Sequence, residues 1–85
     1  MASKHAAGWS RRLSWPLTLR DGRTLRSLAD ARAFVLALPP AYQEYNAWQR
    51  AAALLIDAAE NGGDVRAATD QVFAALFVQA NVKLE

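Results

Sequence analysis

Apolar and polar residues alternate in the first part of the chain, and the apolar spacing becomes helical after residue 27. Alternation with a period of two is typical of β-strands, whereas apolar residues three and four positions apart are typical of helices that bury one face. The alternating stretch WPLTLRDGRTLR, residues 15–26, has Asp21-Gly22 at its centre, and this dipeptide favours a hairpin turn. Because an isolated two-stranded hairpin is not stable in water, we expect it to pack on the helices that follow.

The pairing of the two strands depends on the length of the turn. With a two-residue turn at Asp21-Gly22, Leu25 would lie on the opposite face of the hairpin from Leu17. With a three-residue turn that begins at Arg20 and holds Gly22 in the left-handed region, Leu17 pairs with Leu25 and the leucines share one face. The second register keeps the hairpin amphipathic. We therefore predict a positive φ at Gly22 and a cross-strand contact between Leu17 and Leu25.

Helical spacing predicts three helices after the hairpin. The first begins at Ser27, which forms an approximate capping box with Asp30, and it ends at Pro39-Pro40, because proline breaks the helical hydrogen bonding. The second runs from about residues 41–44 to about 61, and the third from about 65 to 80. The short connection between these two predicts antiparallel neighbours. The order β-β-α-α-α predicts an α+β domain in which an N-terminal two-stranded antiparallel hairpin packs on three helices.

The predicted core takes the inward-facing residues of the hairpin and one apolar stripe from each helix. On the third helix the apolar arc is wider than one small core needs, because Val78 extends the stripe that contains Phe73 and Phe77. A second copy of the chain could cover both this arc and an edge strand. The predicted core residues are Trp15, Leu17, Leu19, Leu25, Leu28, Phe34, Val35, Leu38, Tyr45, Trp48, Leu55, Ile56, Val72, Phe73, Leu76 and Phe77.

The length of 85 residues corresponds to one domain. Residues 1–12 show no periodicity, so we expect a flexible N-terminal tail there. We expect the α+β domain to cover residues 13–82 and residues 83–85 to form a C-terminal tail. The final Leu84-Glu85 is a frequent cloning remnant before a purification tag, so we attach no function to it.

The net charge of +2 conceals two halves of opposite sign. Residues 1–32 contain seven basic and two acidic residues, a charge of +5, and residues 33–85 contain three basic and six acidic residues, a charge of −3. Such a distribution can steer a polyanion to one end or favour contact between two copies. The chain has no cysteine, so disulfides and thiolate metal sites are excluded and a reducing, cytoplasmic compartment is expected. No stretch approaches the roughly 20 apolar residues that span a bilayer, so no membrane contact is expected.

Three stretches of the sequence resemble a family of small alphaproteobacterial proteins of unknown function that is common in rhizobia. They are WPLTL at 15–19, ALPPAYQEY at 37–45 and VFAALFVQANV at 72–82. The resemblance covers about residues 13–82 and implies a hairpin followed by helices. It implies no activity, cofactor or catalytic residue. Family members tend to have Ala-Arg where this chain has Thr69-Asp70, so a role of that arginine would not carry over.

The sequence offers few groups for catalysis. The single histidine, His5, lies in the expected tail. Catalytic arrangements that pair serine with histidine or histidine with a carboxylate therefore lack a positioned base. Asp57 and Glu60 lie three residues apart on one helical face and could form a weak metal site, although solvated surface charges are the more common interpretation of such a pair. We therefore expect no enzyme activity, no cofactor and no metal site.

Three arginines of the hairpin form a candidate contact for polyanions. Arg20, Arg23 and Arg26 could bind phosphates, because guanidinium groups match phosphate geometry and a two-stranded ribbon can enter the major groove of DNA. The same residues also suit a solvated strand edge that resists aggregation, and this is the favoured interpretation. In the three-residue register, Arg20 and Arg26 leave the core face and Arg23 lies at its rim.

The leading functional hypothesis is a non-enzymatic interaction module that self-associates or binds an unknown protein partner. The candidate interface residues are Tyr42, Phe77 and Val78. Among Tyr42, Tyr45 and Trp48, we expect Tyr42 to be the most exposed, because the other two lie on the core-facing stripe. The alternative hypothesis is a nucleic-acid-binding accessory protein that uses the arginines of the hairpin.

Overall fold

The computed structural model describes residues 8–84, and side chains within that range for residues 8–77. Its elements form the expected α+β fold, in which an antiparallel hairpin is followed by helices. The second predicted helix is divided into a short helix and a long one. The elements are β1 (Arg12–Thr18), β2 (Thr24–Ser27), α1 (Leu28–Leu36), α2 (Pro40–Gln43), α3 (Asn46–Glu60) and α4 (Val65–Leu84). No helix in the described part of the chain combines the length and the apolar character needed to cross a membrane.

The hairpin turn has the three-residue form. Leu17 pairs with Leu25 across the strands. Gly22 has a φ of +94°, and its N–H donates to the carbonyl oxygen of Leu19 at 3.0 Å. The N–H of Leu19 in turn donates to the carbonyl oxygen of Arg23 at 2.7 Å. Both predictions about the register are confirmed, and the leucines of the two strands are buried on one face.

The N-terminal part of β1 is tied to α4 instead of pairing regularly with β2. The ladder is irregular before Leu17, and Pro16 in this stretch has no N–H to donate. The N–H of Ser14 donates to the hydroxyl of Thr69 in α4 at 3.0 Å. That hydroxyl donates to the carbonyl oxygen of Val65 at 2.8 Å, and Thr69 is completely buried. Sequence reasoning did not place this residue in the core, yet its hydroxyl connects the hairpin to the helix.

Helix α1 begins with the expected capping box. The N–H of Asp30 donates to the hydroxyl of Ser27 at 3.1 Å, and the Asp30 carboxylate accepts the N–H of Ser27 at 3.3 Å. At the other end, the side-chain amide of Gln43 donates to the carbonyl oxygens of Leu38 at 2.7 Å and Leu36 at 3.3 Å. The short helix α2 is held against the end of α1 in this way, and the chain becomes extended at Tyr45 before α3 begins. The single second helix expected from the sequence is therefore interrupted.

Helices α3 and α4 pack through faces rich in alanine. The prediction that four large apolar residues belong to the core is wrong: Tyr45, Ile56, Phe73 and Phe77 are 44%, 47%, 53% and 59% exposed. Alanine side chains allow two helix backbones to approach closely, and the larger residues next to them are then turned away from the contact. Trp15, Phe34 and Leu76, also expected in the core, are only partly buried. The residues that α3 and α4 bury are Trp48, Ala51, Leu55, Ala58, Ala59, Ala68, Thr69, Val72 and Ala75.

The folded region begins before the expected boundary at residue 13. Trp9 packs against the core, and the guanidinium of Arg11 donates to the carbonyl oxygen of Ala58 in α3 at 2.9 Å. The carbonyl oxygen of Arg11 accepts the N–H of Leu28 at 2.9 Å. The remainder of the expected N-terminal tail, residues 1–7, and Glu85 of the expected C-terminal tail lie outside the described residues.

Candidate binding groove

An open groove of about 640 Å³ lies between the hairpin, the end of α1 and helix α4. This volume is in the range of about 300–1,000 Å³ that is typical of binding clefts. One wall comes from β1 and the turn that follows it, and the opposite wall comes from α4. Most of its lining is apolar, and its walls include Trp15, Leu17, Leu38, Tyr42, Phe73 and Phe77. We refer to this feature as the apolar groove.

The α4 wall of the apolar groove carries its two exposed large apolar side chains. Phe73 and Phe77 lie one helical turn apart, so their rings are adjacent on the same side of α4. Both rings are more than half exposed, whereas Leu76 beside them is half-buried. The opposite wall includes the buried side chains of Leu17 and Leu19. The groove therefore has a buried side provided by the hairpin and an exposed rim of two phenylalanines.

The hairpin turn provides the charged end of the groove. Arg20, Asp21 and Arg23 line it there. The carboxylate of Asp21 accepts the backbone N–H of Arg23 at 3.0 Å and its Nε at 2.8 Å. The hydrogen bond from the backbone N–H of Arg23, together with the guanidinium, holds the pKa of Asp21 below its ordinary 3.8. The charge of Arg23 is thus paired within the turn, which leaves Arg20 as the cation that the turn presents at this end.

The apolar groove includes two of the three predicted polyanion residues. Arg20 and Arg23 line the apolar groove, and the guanidinium of Arg23 lies 5.8 Å from the centre of the Phe34 ring. Arg26 is exposed and is not among the lining residues. It follows Leu25, whose side chain is buried, and adjacent strand residues point to opposite faces.

The predicted interface residues are only partly placed at the groove. Tyr42 lines it, and Phe77 is exposed at its rim. The side chain of Val78 lies outside the described residues. The expectation that Tyr42 is the most exposed of its aromatic cluster is wrong, because it is half-buried while Tyr45 is exposed. The two tyrosine rings meet edge to face with centres 5.5 Å apart, whereas Trp48 is buried in the core.

The pair of carboxylates on α3 has separate hydrogen-bond partners. Asp57 accepts the side-chain amide of Asn61 at 3.2 Å, and Glu60 accepts the indole N–H of Trp9 at 3.4 Å. Across the described residues there is no cluster of three or more histidine, aspartate or glutamate side chains that could hold a metal ion. Both carboxylates are exposed near the C-terminal end of α3, and Glu60 also lies beside Trp9.

The apolar groove was not predicted from the sequence. One pattern does point to it: α4 carries two stripes, one of small residues that includes Ala68 and Ala75, and one that includes Phe73 and Phe77. The small-residue stripe is buried against the rest of the domain, so the phenylalanine stripe is left at the groove. The wide apolar arc of this helix was predicted from the sequence, but Phe73 and Phe77 were expected in the core; two competing stripes on one helix are the signal that could have indicated their exposure.

Comparisons with models of protein families, with curated proteins and with solved structures found nothing that matches this chain. The resemblance to the rhizobial family of unknown function therefore stays a prediction.

Proposed function

We propose that this chain is a small non-enzymatic interaction module that self-associates through the apolar groove. The observation that carries the proposal is the exposure of Phe73 and Phe77 at the rim of the groove. Complete burial of a phenylalanine side chain is worth about 1.5–3 kcal/mol, so two half-exposed rings side by side favour an interface. The same surface also supplies the concave space that such rings can enter.

The size of the domain supports the same proposal. A chain of 85 residues buries a smaller fraction of its surface than a larger domain does, and an apolar surface shared with a second copy supplements its core. Contiguous apolar patches on small proteins generally mark interaction sites. The proposal that the module is non-enzymatic is supported by the sequence, whose single histidine, His5, lies in the expected N-terminal tail.

Sedimentation velocity over a range of protein concentrations tests the proposal. We expect a concentration-dependent shift from monomer to dimer, and we expect Phe77→Asp to abolish it because a carboxylate in an apolar interface loses its hydration. Ile56→Asp is the matched control, since Ile56 is a similarly exposed apolar helical residue that does not line the groove. A wild-type chain that remains monomeric at high micromolar concentration would refute the proposal.

Nucleic-acid binding by the hairpin is the alternative and has weaker support. Residues 1–32 carry a charge of +5, and Arg20 and Arg26 are exposed. However, Arg23 is paired with Asp21, and Arg26 lies away from the groove. Binding of duplex or single-stranded DNA at low salt, lost when Arg20, Arg23 and Arg26 are replaced together, is the result that this alternative requires.

A further inference from the structure

The direction of β1 along α4 determines which part of the helix lies beside the hairpin turn. Ser14 is hydrogen-bonded to Thr69, so these two residues lie at the same level. Arg20 and Phe77 both line the apolar groove, so β1 runs from this level toward the C-terminal end of α4. Leu19, which is still hydrogen-bonded across the hairpin, is five residues further along the chain, and this corresponds to roughly 17 Å of strand. The same distance corresponds to about 11 residues of helix, so the turn that begins at Arg20 is level with the part of α4 near residue 80, beyond the exposed ring of Phe77.

A charged residue shares the exposed face of α4 with the two phenylalanines. At 100° per residue, Asp70, Phe73 and Phe77 fall within about 60° of one another around the helix axis. Asp70 is exposed and lies one turn before Phe73. The face thus has a carboxylate near the N-terminal end of α4 and two aromatic rings at its middle. We refer to these three residues as the α4 face.

From this arrangement we infer that two copies pair through their α4 faces with the helices antiparallel, so that Arg20 of each copy lies beside Asp70 of the other. This inference rests on the proposed self-association and specifies its geometry. In a two-fold symmetric dimer the same surface is used by both copies. An axis that passes between Phe73 and Phe77, near residue 75, brings Asp70 of one copy level with residue 80 of the other. Arg20 of that other copy lies at the same level, so the carboxylate of Asp70 and the guanidinium of Arg20 come together at each end of the dimer.

The two apolar grooves face each other in this arrangement, and the four phenylalanine rings fill the space between them. A phenylalanine side chain buries on the order of 150–250 Å² in full, so the exposed parts of Phe73 and Phe77 supply roughly 200 Å² per copy. A standard interface buries about 800 Å² per partner, so the two rings supply about a quarter of it, and the remainder has to come from the groove walls, which include Trp15 and Tyr42, and from the surface around them. A parallel arrangement of the helices would place Asp70 far from Arg20 and would leave both charges unpaired.

Charge-exchange variants test the geometry. Arg20→Asp alone places two carboxylates opposite each other at both ends of the dimer, and Asp70→Arg alone places two guanidinium groups there. We expect each single variant to weaken dimerisation about 10-fold, because each dimer loses two ion pairs and gains two repulsions. Mixing the two variants restores both ion pairs, so the heterodimer is expected to form with an affinity within about threefold of the wild type. The double variant is expected to recover homodimerisation in the same way.

Arg26→Asp is the matched control for these measurements. It reverses an exposed arginine of the same hairpin that does not line the groove, so dimerisation is expected to change less than about twofold. Sedimentation equilibrium measures the affinities, native mass spectrometry of one isotope-labelled variant identifies the heterodimer, and circular dichroism verifies the fold of each variant. If the wild type dimerises but the single variants dimerise equally well, or the mixture does not recover affinity, the inferred geometry is wrong while self-association stands. If the wild type is monomeric, the proposed function fails as well.

Discussion

Replacement of Thr69 by valine tests the connection between the hairpin and α4. Valine has nearly the same shape as threonine, so the substitution removes the hydroxyl with little change in packing. The hydroxyl accepts the N–H of Ser14 at 3.0 Å and is completely buried, so valine leaves that N–H without its protein partner. Ser14 is exposed and this hydrogen bond is only partly buried, so the loss is expected at the lower end of the roughly 1–3 kcal/mol cost of an unpaired buried donor, about 1 kcal/mol in the free energy of unfolding. A loss of this size is measurable against the marginal stability of a small domain.

Urea denaturation followed by tryptophan fluorescence measures the loss, at one fixed protein concentration because self-association would add to the apparent stability. Hydrogen exchange at the amide of Ser14 gives a local measurement, since this amide should exchange faster in Thr69→Val. Thr18→Val is the matched control: Thr18 is exposed on β1, and its replacement is expected to change stability by less than about 0.5 kcal/mol. Thr69→Ser keeps the hydroxyl, so protection of Ser14 should be retained. An unchanged free energy of unfolding together with a protected Ser14 amide in Thr69→Val would refute the reasoning.

Two further predictions concern the hairpin turn. The pKa of Asp21 is lowered by the backbone N–H and guanidinium of Arg23, so its ionised form stabilises the turn above the ordinary pKa of 3.8 and this contribution is lost as the pH falls through the lowered value. We expect an NMR titration to place the Asp21 carboxyl below 3.8 in the folded chain, and a titration at or above 3.8 would contradict the role of these hydrogen bonds. Gly22 has a φ of +94°, so Gly22→Ala should cost about 1 kcal/mol in thermal or urea unfolding, whereas an unchanged stability would show that the turn tolerates a side chain.

Part of the arrangement of charges at the end of the groove could be predicted from the sequence. The three-residue turn separates Arg26 from Arg20 and Arg23, because it determines which strand residues share a face. The pairing of Arg23 with Asp21 spans only two residues and depends on the turn itself. The position of Arg20 level with the later part of α4 depends instead on the hydrogen bond between Ser14 and Thr69, which joins residues far apart in the sequence.

The sequence by itself determined the features that arise between neighbouring residues. The register of Leu17 with Leu25 follows from alternation and the turn at Gly22, and the start of α1 follows from the capping box of Ser27 and Asp30. Each of these depends on hydrogen bonds and steric limits within a few residues of chain. Local preferences therefore suffice to predict them.

Only the tertiary structure decided which faces of α3 and α4 are buried. Each helix buries a face that combines alanines with large residues, Trp48 and Leu55 in α3 and Val72 in α4, and leaves other large apolar residues exposed. Periodicity alone favoured burial of all the large residues. Ala58 of α3 and Ala68 of α4 are completely buried, and such small side chains let neighbouring backbones come together. Phe73 and Phe77 are consequently excluded from the core and become the rim of the apolar groove. The surface on which the proposed function depends is thus produced by packing between distant segments. Local sequence patterns do not predict such packing.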